Sequence, residues 1–275
     1  MTDRYAVFGN PLSHTKSPMI HGEFAKETTQ DLSYTAIEIP LGQFNTEMDK
    51  FRKAGGVGGN VTAPFKLDAF AYADEPTQRA KLAGAVNTLY FHDGKVFADN
   101  TDGIGLLTDI ESNLGVKLQG KRVLILGAGG ATRGAILPFL NAEPKSITLA
   151  NRTLAKATAI YNEVNQPKNL VCSSFEALQG QTFDVVINAT SASLSKQMPD
   201  VPLGVFANCQ LAYDLAYGKG LTPFLAAAKE HSAQNIIIAD GVGMLVEQAA
   251  AAFRWWRGVN PSTQGLIKQL TIPLV

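Results

Sequence analysis

Four aliphatic residues, Val123–Leu126, run without interruption into Gly127-Ala128-Gly129-Gly130-Ala131-Thr132-Arg133-Gly134. An apolar run that ends in clustered glycines, with a helical pattern beyond, leaves few options for the chain. The run reads as a buried strand, Gly127 as the tight turn after it, and Gly129 as a point where backbone can approach a ligand closely. The amides that open the following helix then face a pyrophosphate-like anion. Thr132 stands where the GxGxxG pattern has its third glycine, so the motif is a variant, and its weight comes from the strand–loop–helix context.

The same alternation continues on both sides of that loop. Strand-like runs at Arg122–Leu126, Ser146–Ala150, Asp184–Asn188, Gln210–Asp214 and Ile236–Ala239 are mostly separated by helical stretches at Gly130–Leu140, Leu154–Glu163 and Thr222–His231. This spacing implies an α/β architecture, a mostly parallel sheet with helices on both faces. The first half reads in shorter units. Tyr5–Phe8 and Tyr34–Ile39 are strand-like, a helix is expected from Ser17 as N-cap to about Lys26, and Gln43–Ala54 carries Phe44, Met48 and Phe51 on one helical face. Gly55–Gly59 reads as a turn region before Asn60-Val61-Thr62, and Pro64-Phe65-Lys66 starts another helix. Val86–Phe91 and Lys95–Ala98 flank Asp93-Gly94, a hairpin signal. The last helix is expected at about Met244–Trp256.

The chain has 275 residues, 45% hydrophobic and 17% charged, which suits one large domain or two of ordinary size. Lys+Arg and Asp+Glu both total 24, so no basic excess exists to neutralise a nucleic-acid backbone or an anionic membrane. No apolar run approaches the roughly 18 residues of a membrane span. The N-terminal segment lacks the pattern of a secretion signal, and a cytoplasmic location is expected. Cys172 and Cys209 read as buried small side chains in a reducing compartment. The four histidines lack zinc-ligand spacing, and no metal is expected.

The end of the second strand of the Gly-loop unit selects the cofactor. An acid there would bind the ribose hydroxyl of NAD. Here the strand ends in Asn151-Arg152-Thr153 with Lys156 soon after. Arg152 offers a planar fork of donors, with neutral hydrogen bonds available from Asn151 and Thr153. NADP is therefore expected over NAD, with Asn188-Ala189-Thr190-Ser191 beside the ribose and nicotinamide. A hydride-transfer enzyme also needs a proton donor. Lys66 and Asp102 are the candidates: a neighbouring carboxylate holds an ammonium in place and favours its charged form. Thr15 and Ser17, near a helix start, suit a carboxylate ligand. Read singly, Lys66 is a surface charge, Asp102 a turn residue and Ser17 a helix cap.

Taken together, GNPLSHTKSP (9–18), GGNVTAPFK (58–66), LAGAVNTL (82–89), DNTDG (99–103), LILGAGGATRG (124–134), NRT (151–153), NATS (188–191) and DGVGMLVEQAA (240–250) resemble the shikimate dehydrogenase family over essentially the whole chain. The resemblance implies NADPH-dependent, reversible reduction of 3-dehydroshikimate to shikimate in aromatic amino-acid biosynthesis. It implies a substrate-binding domain at 1–102, a Rossmann-like NADP domain at 103–240, and a helical segment at 241–275 returning to the first domain. Lys66 and Asp102 would be the catalytic pair. Thr15, Ser17 and Tyr217 would bind the substrate carboxylate, and Thr62, Asn87 and Gln248 its ring hydroxyls, with Lys66 and Asp102 also touching them. Cofactor contacts would come from Gly127, Ala128, Gly129, Gly130 and Ala131, from Asn151, Arg152, Thr153 and Lys156, and from Thr190, the Leu215 backbone and Gly241. A monomer or homodimer is expected. Two departures stand out: Thr15 where Ser is common, and Ser193 where NATSxG has Gly. The competing readings are an NAD-using quinate/shikimate dehydrogenase and a non-catalytic NADP-binding sensor.

Overall fold

β1 (Asp3–Gly9) is buried from Tyr5 to Gly9, and its neighbours on both sides run parallel to it. This computed structural model describes residues 2–233 and 235–274. The chain divides into two units. One comprises the residues up to Gly105 together with Val246–Leu266; the other comprises Leu106–Leu245 and the residues from Ile267 onward. The expected junctions at residues 102 and 240 are thus displaced to Gly105 and Leu245, and the chain beyond Leu266 groups with the second unit. The first two crossings fall inside helices, which carry no local sign of a boundary.

In the first unit, α1 (Ser17–Glu27), β2 (Leu32–Glu38), α2 (Phe44–Lys53), β3 (Gly56–Val61), α3 (Lys66–Tyr72), β4 (Glu75–Pro76), α4 (Gln78–Ala83), β5 (Thr88–His92) and β6 (Lys95–Asp99) build a sheet in the order β2-β1-β3-β5-β6-β4. β3 overturns the expectation of a turn at Gly55–Gly59. Its glycines are there for close packing: a Cβ on Gly59 would lie 2.3 Å from the Ala6 carbonyl oxygen, and one on Gly58 would lie 2.5 Å from that of Leu89. Only Gly55 turns, at φ +83°. The β5–β6 hairpin forms at Asp93-Gly94 with both residues at positive φ, as such a two-residue turn requires. Phe44, Met48 and Phe51 of α2 are buried against Phe8, Val61 and Phe65. Ser17 is already helical, and Lys16 takes the cap position with no side-chain hydrogen bond. The Ser17 amide instead donates to Thr15 Oγ1 at 3.4 Å.

After α5 (Asp102–Thr108) and a π-helical turn at Asp109–Asn113, the second unit runs β7 (Arg122–Leu126), α6 (Gly130–Asn141), β8 (Ser146–Ala150), α7 (Leu154–Glu163), β9 (Leu170–Ser173), β10 (Val185–Asn188), β11 (Leu211–Asp214), α8 (Pro223–His231) and β12 (Ile237–Asp240). All its strands are parallel, in the order β12-β11-β10-β7-β8-β9. The order reverses beside β7, and ligands of doubly wound sheets bind beyond the strand ends at such a reversal. In register, those ends are Ala150, Leu126, Asn188, Asp214 and Asp240. β9 is absent from the sequence reading because it is short and its Val171 is exposed.

The chain then forms two helices, α9 (Val242–Arg257) and α10 (Gln264–Leu270), where one was expected. The part of α9 in the first unit packs Ala252 and Trp256 on Tyr5, and Trp256 Nε1 donates to the Leu89 carbonyl at 3.0 Å. Arg257 pairs with Asp3. Among the described residues no helix is long and apolar enough to cross a membrane. Cys209 is buried as expected, whereas Cys172 is only half-buried.

Candidate active site

Lys66 opens α3 and Asp102 opens α5, and the fold brings them into contact. Lys66 Nζ lies 2.5 Å from Asp102 Oδ2, with 33% and 12% of the two side chains exposed. The ammonium is therefore tethered yet still reachable. Asn87 donates to the other carboxylate oxygen, Asp102 Oδ1, at 2.8 Å, and the same amide group lies 3.4 Å from Gln248 Oε1. Thr15 and Ser17 are half-buried, with their hydroxyls 3.4 Å apart. Thr62 follows β3 and packs against Gly9, where a Cβ would approach its methyl to 2.5 Å.

A second layer fixes the direction of the Asn87 carboxamide. Asn87 Oδ1 accepts from the Thr88 hydroxyl and the Thr101 amide, both at 2.9 Å, so its NH2 is turned to Asp102. Thr88 Oγ1 accepts from Asn60 Nδ2 at 3.1 Å, and Asn60 Oδ1 accepts from the Tyr34 hydroxyl at 2.7 Å. Strand register explains the meeting, since Asn60 lies opposite Thr88 and Thr88 opposite Asp99. Asp99 is buried and held by Arg79 through Nε at 2.7 Å and a second contact, and by the Thr77 hydroxyl at 2.6 Å. A paired and hydrogen-bonded carboxylate is the form in which a buried charge is tolerated. Beside this network His21 stacks on Tyr34, ring centroids 4.2 Å apart. Among the described residues neither ring nitrogen has a hydrogen-bond partner, and burial pushes its pKa down to about 3.

The second unit holds the Gly loop. Gly127 sits at φ +105°, and a Cβ there would come to 3.0 Å from the Ala189 carbonyl oxygen. Gly129 and Gly130 face open space, and the N-terminus of α6 has no side-chain cap. This open cradle at the start of a twelve-residue helix fits a dinucleotide pyrophosphate. The departure at Thr132 has a physical reason. Its buried hydroxyl donates to the Gly127 carbonyl at 2.7 Å, closing the turn with a side chain. The Asn151 carboxamide is also engaged with the protein. Its Oδ1 accepts from the Ala128 amide at 3.2 Å and its Nδ2 donates to the Thr153 carbonyl at 2.8 Å, bracing the loop. Arg152, Thr153 and Lys156 are exposed beside it. Thr190 donates to the buried Asn188 Oδ1 at 2.7 Å, and a Cβ on Gly241 would meet the Leu215 carbonyl oxygen at 2.3 Å.

Three stretches match described domains of one family. Residues 7–89 match the shikimate dehydrogenase substrate binding domain, 109–197 shikimate / quinate 5-dehydrogenase, and 241–271 the shikimate 5'-dehydrogenase C-terminal domain. The chain belongs to the shikimate dehydrogenase family. It is 53% identical over 270 residues to the shikimate dehydrogenase (NADP(+)) of Chromobacterium violaceum, covering 98% of each chain. Among solved structures, an Ael1 enzyme from Pseudomonas putida is 57% identical with a TM-score of 0.97, and each chain covers 100% of the other. The Thermus thermophilus shikimate 5-dehydrogenase, solved with NADP(H) and shikimate, is 30% identical with a TM-score of 0.85, covering 97% of this chain and 98% of that one.

In this shikimate dehydrogenase family member, Lys66, Asn87, Asp102 and Gln248 meet in the first unit, whereas Tyr217 and the expected cofactor residues belong to the second. Sequence reasoning missed Arg79 and Tyr34, which act on the site only through Asp99 and Asn60; no motif marks either. Ser193, which stands where NATSxG has Gly, buries its hydroxyl against Asp214 at 2.6 Å.

Proposed function

We propose that this chain reduces 3-dehydroshikimate to shikimate reversibly, with Lys66 and Asp102 managing the proton. NADPH, when bound, supplies the hydride to the ring carbonyl carbon. Lys66 donates a proton from its ammonium to the carbonyl oxygen as negative charge develops there, which is general-acid catalysis. In the reverse direction the neutral amine accepts the alcohol proton. Asp102 orients the ammonium and accepts a ring hydroxyl, and Asn87 and Gln248 bind further hydroxyls beside it. Thr62 adds a hydroxyl to the same group, while Thr15, Ser17 and Tyr217 take the carboxylate. The first unit is the substrate domain and the second the NADP domain. Arg152, Thr153 and Lys156 receive the 2′-phosphate, and Gly127–Ala131, Thr190, Leu215 and Gly241 line the remainder of the cofactor. The enzyme works in the cytoplasm, as a monomer or homodimer.

One observation carries this reading: a tethered, partly exposed ammonium at 2.5 Å from Asp102 Oδ2, with two carboxamides beside it. A pair of that kind is superfluous in a protein that only binds a nucleotide. The test is absorbance of reduced cofactor with shikimate and with quinate, each against NADP and NAD. Fastest turnover with shikimate and NADP supports the proposal. Faster turnover with quinate and NAD replaces it with the quinate/shikimate reading, and tight NADP binding without turnover replaces it with a sensor.

A further inference from the structure

Tyr217, 45% accessible, sits on a loop whose backbone is held on both sides of it. The two amides that flank it each donate to a buried carboxylate. Ala216 N donates to Asp214 Oδ1 and Gly218 N to Asp240 Oδ2, both at 3.2 Å. These acids are paired in register at the ends of neighbouring strands β11 and β12. Asp214 is fully buried and also receives the hydroxyls of Ser193 at 2.6 Å and Thr222 at 2.7 Å. It is a fixed post. Asp240 makes a simpler link. Its Oδ1 accepts the Val242 amide at 3.2 Å and its Oδ2 the Gly218 amide, joining the start of α9 to the Tyr217 loop. Burial raises the Asp240 pKa, so the carboxylate is kept there at a cost that its two amide bonds partly offset.

We propose that Asp240 is a positioning residue for substrate binding, holding the Tyr217 loop so that the phenol is presented to the substrate carboxylate with its backbone already set. This rests on the reading of Tyr217 as a carboxylate contact. Ordering the loop beforehand removes that entropy cost from the binding step. Asp240 itself touches neither the substrate nor the reacting atoms.

The Asp240→Asn variant is the probe. Both Asp240 oxygens accept a backbone amide, so either orientation of an asparagine places its NH2 against one of them, and one contact is lost. KM for shikimate is expected to rise about 5- to 10-fold, the effect of one lost hydrogen bond, with kcat and KM for NADP little changed. Tyr217→Phe should raise the same KM, and the double variant should be no worse than the more impaired single one. For methyl shikimate, which lacks the carboxylate charge, Asp240→Asn should cost nothing further. Thermal unfolding of each variant is followed in parallel. If Asp240→Asn melts below the assay temperature, Asp240→Ser, which keeps one acceptor, is tested for the same non-additivity. Independent, multiplying effects of Asp240 and Tyr217 overturn the proposal, as does an equal rise in KM for NADP. A Tyr217→Phe variant with unchanged shikimate KM instead sinks the reading of Tyr217 on which it rests.

Discussion

The two units solve the problem of presenting polar groups in opposite ways. In the first, side chains do the work: Lys66, Asp102, Asn87 and Gln248 come from four separate segments, and Asn87 is turned to Asp102 by Thr88, which Asn60 holds in turn. In the second, backbone does the work. Gly127, Gly129 and Gly130 leave amides open at the start of α6, while buried Asn188, Asp214 and Asp240 hold neighbouring amides from behind. The difference teaches where each unit is vulnerable. A side-chain site fails on deletion of a single functional group, whereas a backbone cradle fails when a turn or its brace changes shape.

Substitutions can break or sharpen that contrast. The largest effect is expected for Lys66→Ala, which should slow turnover about 10²- to 10⁴-fold, as removal of a general acid does, while KM for shikimate changes far less. Steady-state kinetics with retained NADP binding are the check, and intact turnover contradicts the role. Arg152→Ala comes next. It should raise KM for NADP by on the order of 10- to 100-fold and leave NAD use nearly unchanged, since it removes a charge-assisted contact to the 2′-phosphate alone. Equal losses for both cofactors would show that Arg152 acts elsewhere.

His21 gives a pH signature belonging to the first unit. Its folded pKa of about 3 lies below the 6.5 of the free side chain, so between these values the unfolded chain takes up a proton that the folded chain refuses. This contribution to stability is constant above about pH 6.5 and falls as the pH drops toward 3, by roughly 2 kcal/mol between pH 7 and 5. Urea unfolding midpoints at those two pH values should differ less in His21→Phe, which keeps an aromatic ring against Tyr34; an unchanged difference would dismiss His21 as the source. The smallest effect is expected for Thr132→Val, which removes the hydroxyl that closes the Gly loop. About 1–2 kcal/mol of stability should be lost, the range for a broken buried hydrogen bond, with a modest rise in KM for NADP. No change in either measurement would leave Gly127 to hold the turn unaided.

The second unit was largely legible in the sequence because each strand is a short aliphatic run with punctuation next to it. The exceptions are instructive. β9 has too few apolar residues to stand out, and in the first unit β3 hides behind glycines, which in isolation read as a turn but here let neighbouring strands approach. In the first unit the residues of the site could be named, but their meeting could not be read. Lys66 and Asp102 are 36 positions apart, and only the hairpin that precedes Asp102 and the register of β3 with β5 bring them together. Asn151 carries a contact that its motif does not announce: its carboxamide braces the Gly loop, with one N–H left over for a ligand. Tyr217 and Gln248 carry no local signal and entered through the family resemblance alone.

The first unit is assembled from two stretches of chain, the second of which, Val246–Leu266, contributes Trp256 and Arg257 to its packing. A ribosome therefore delivers the final pieces of this half only after most of the other half has already emerged. No single proteolytic nick can release it whole, and a stand-alone version would have to splice Gly105 onto Val246 with an artificial linker.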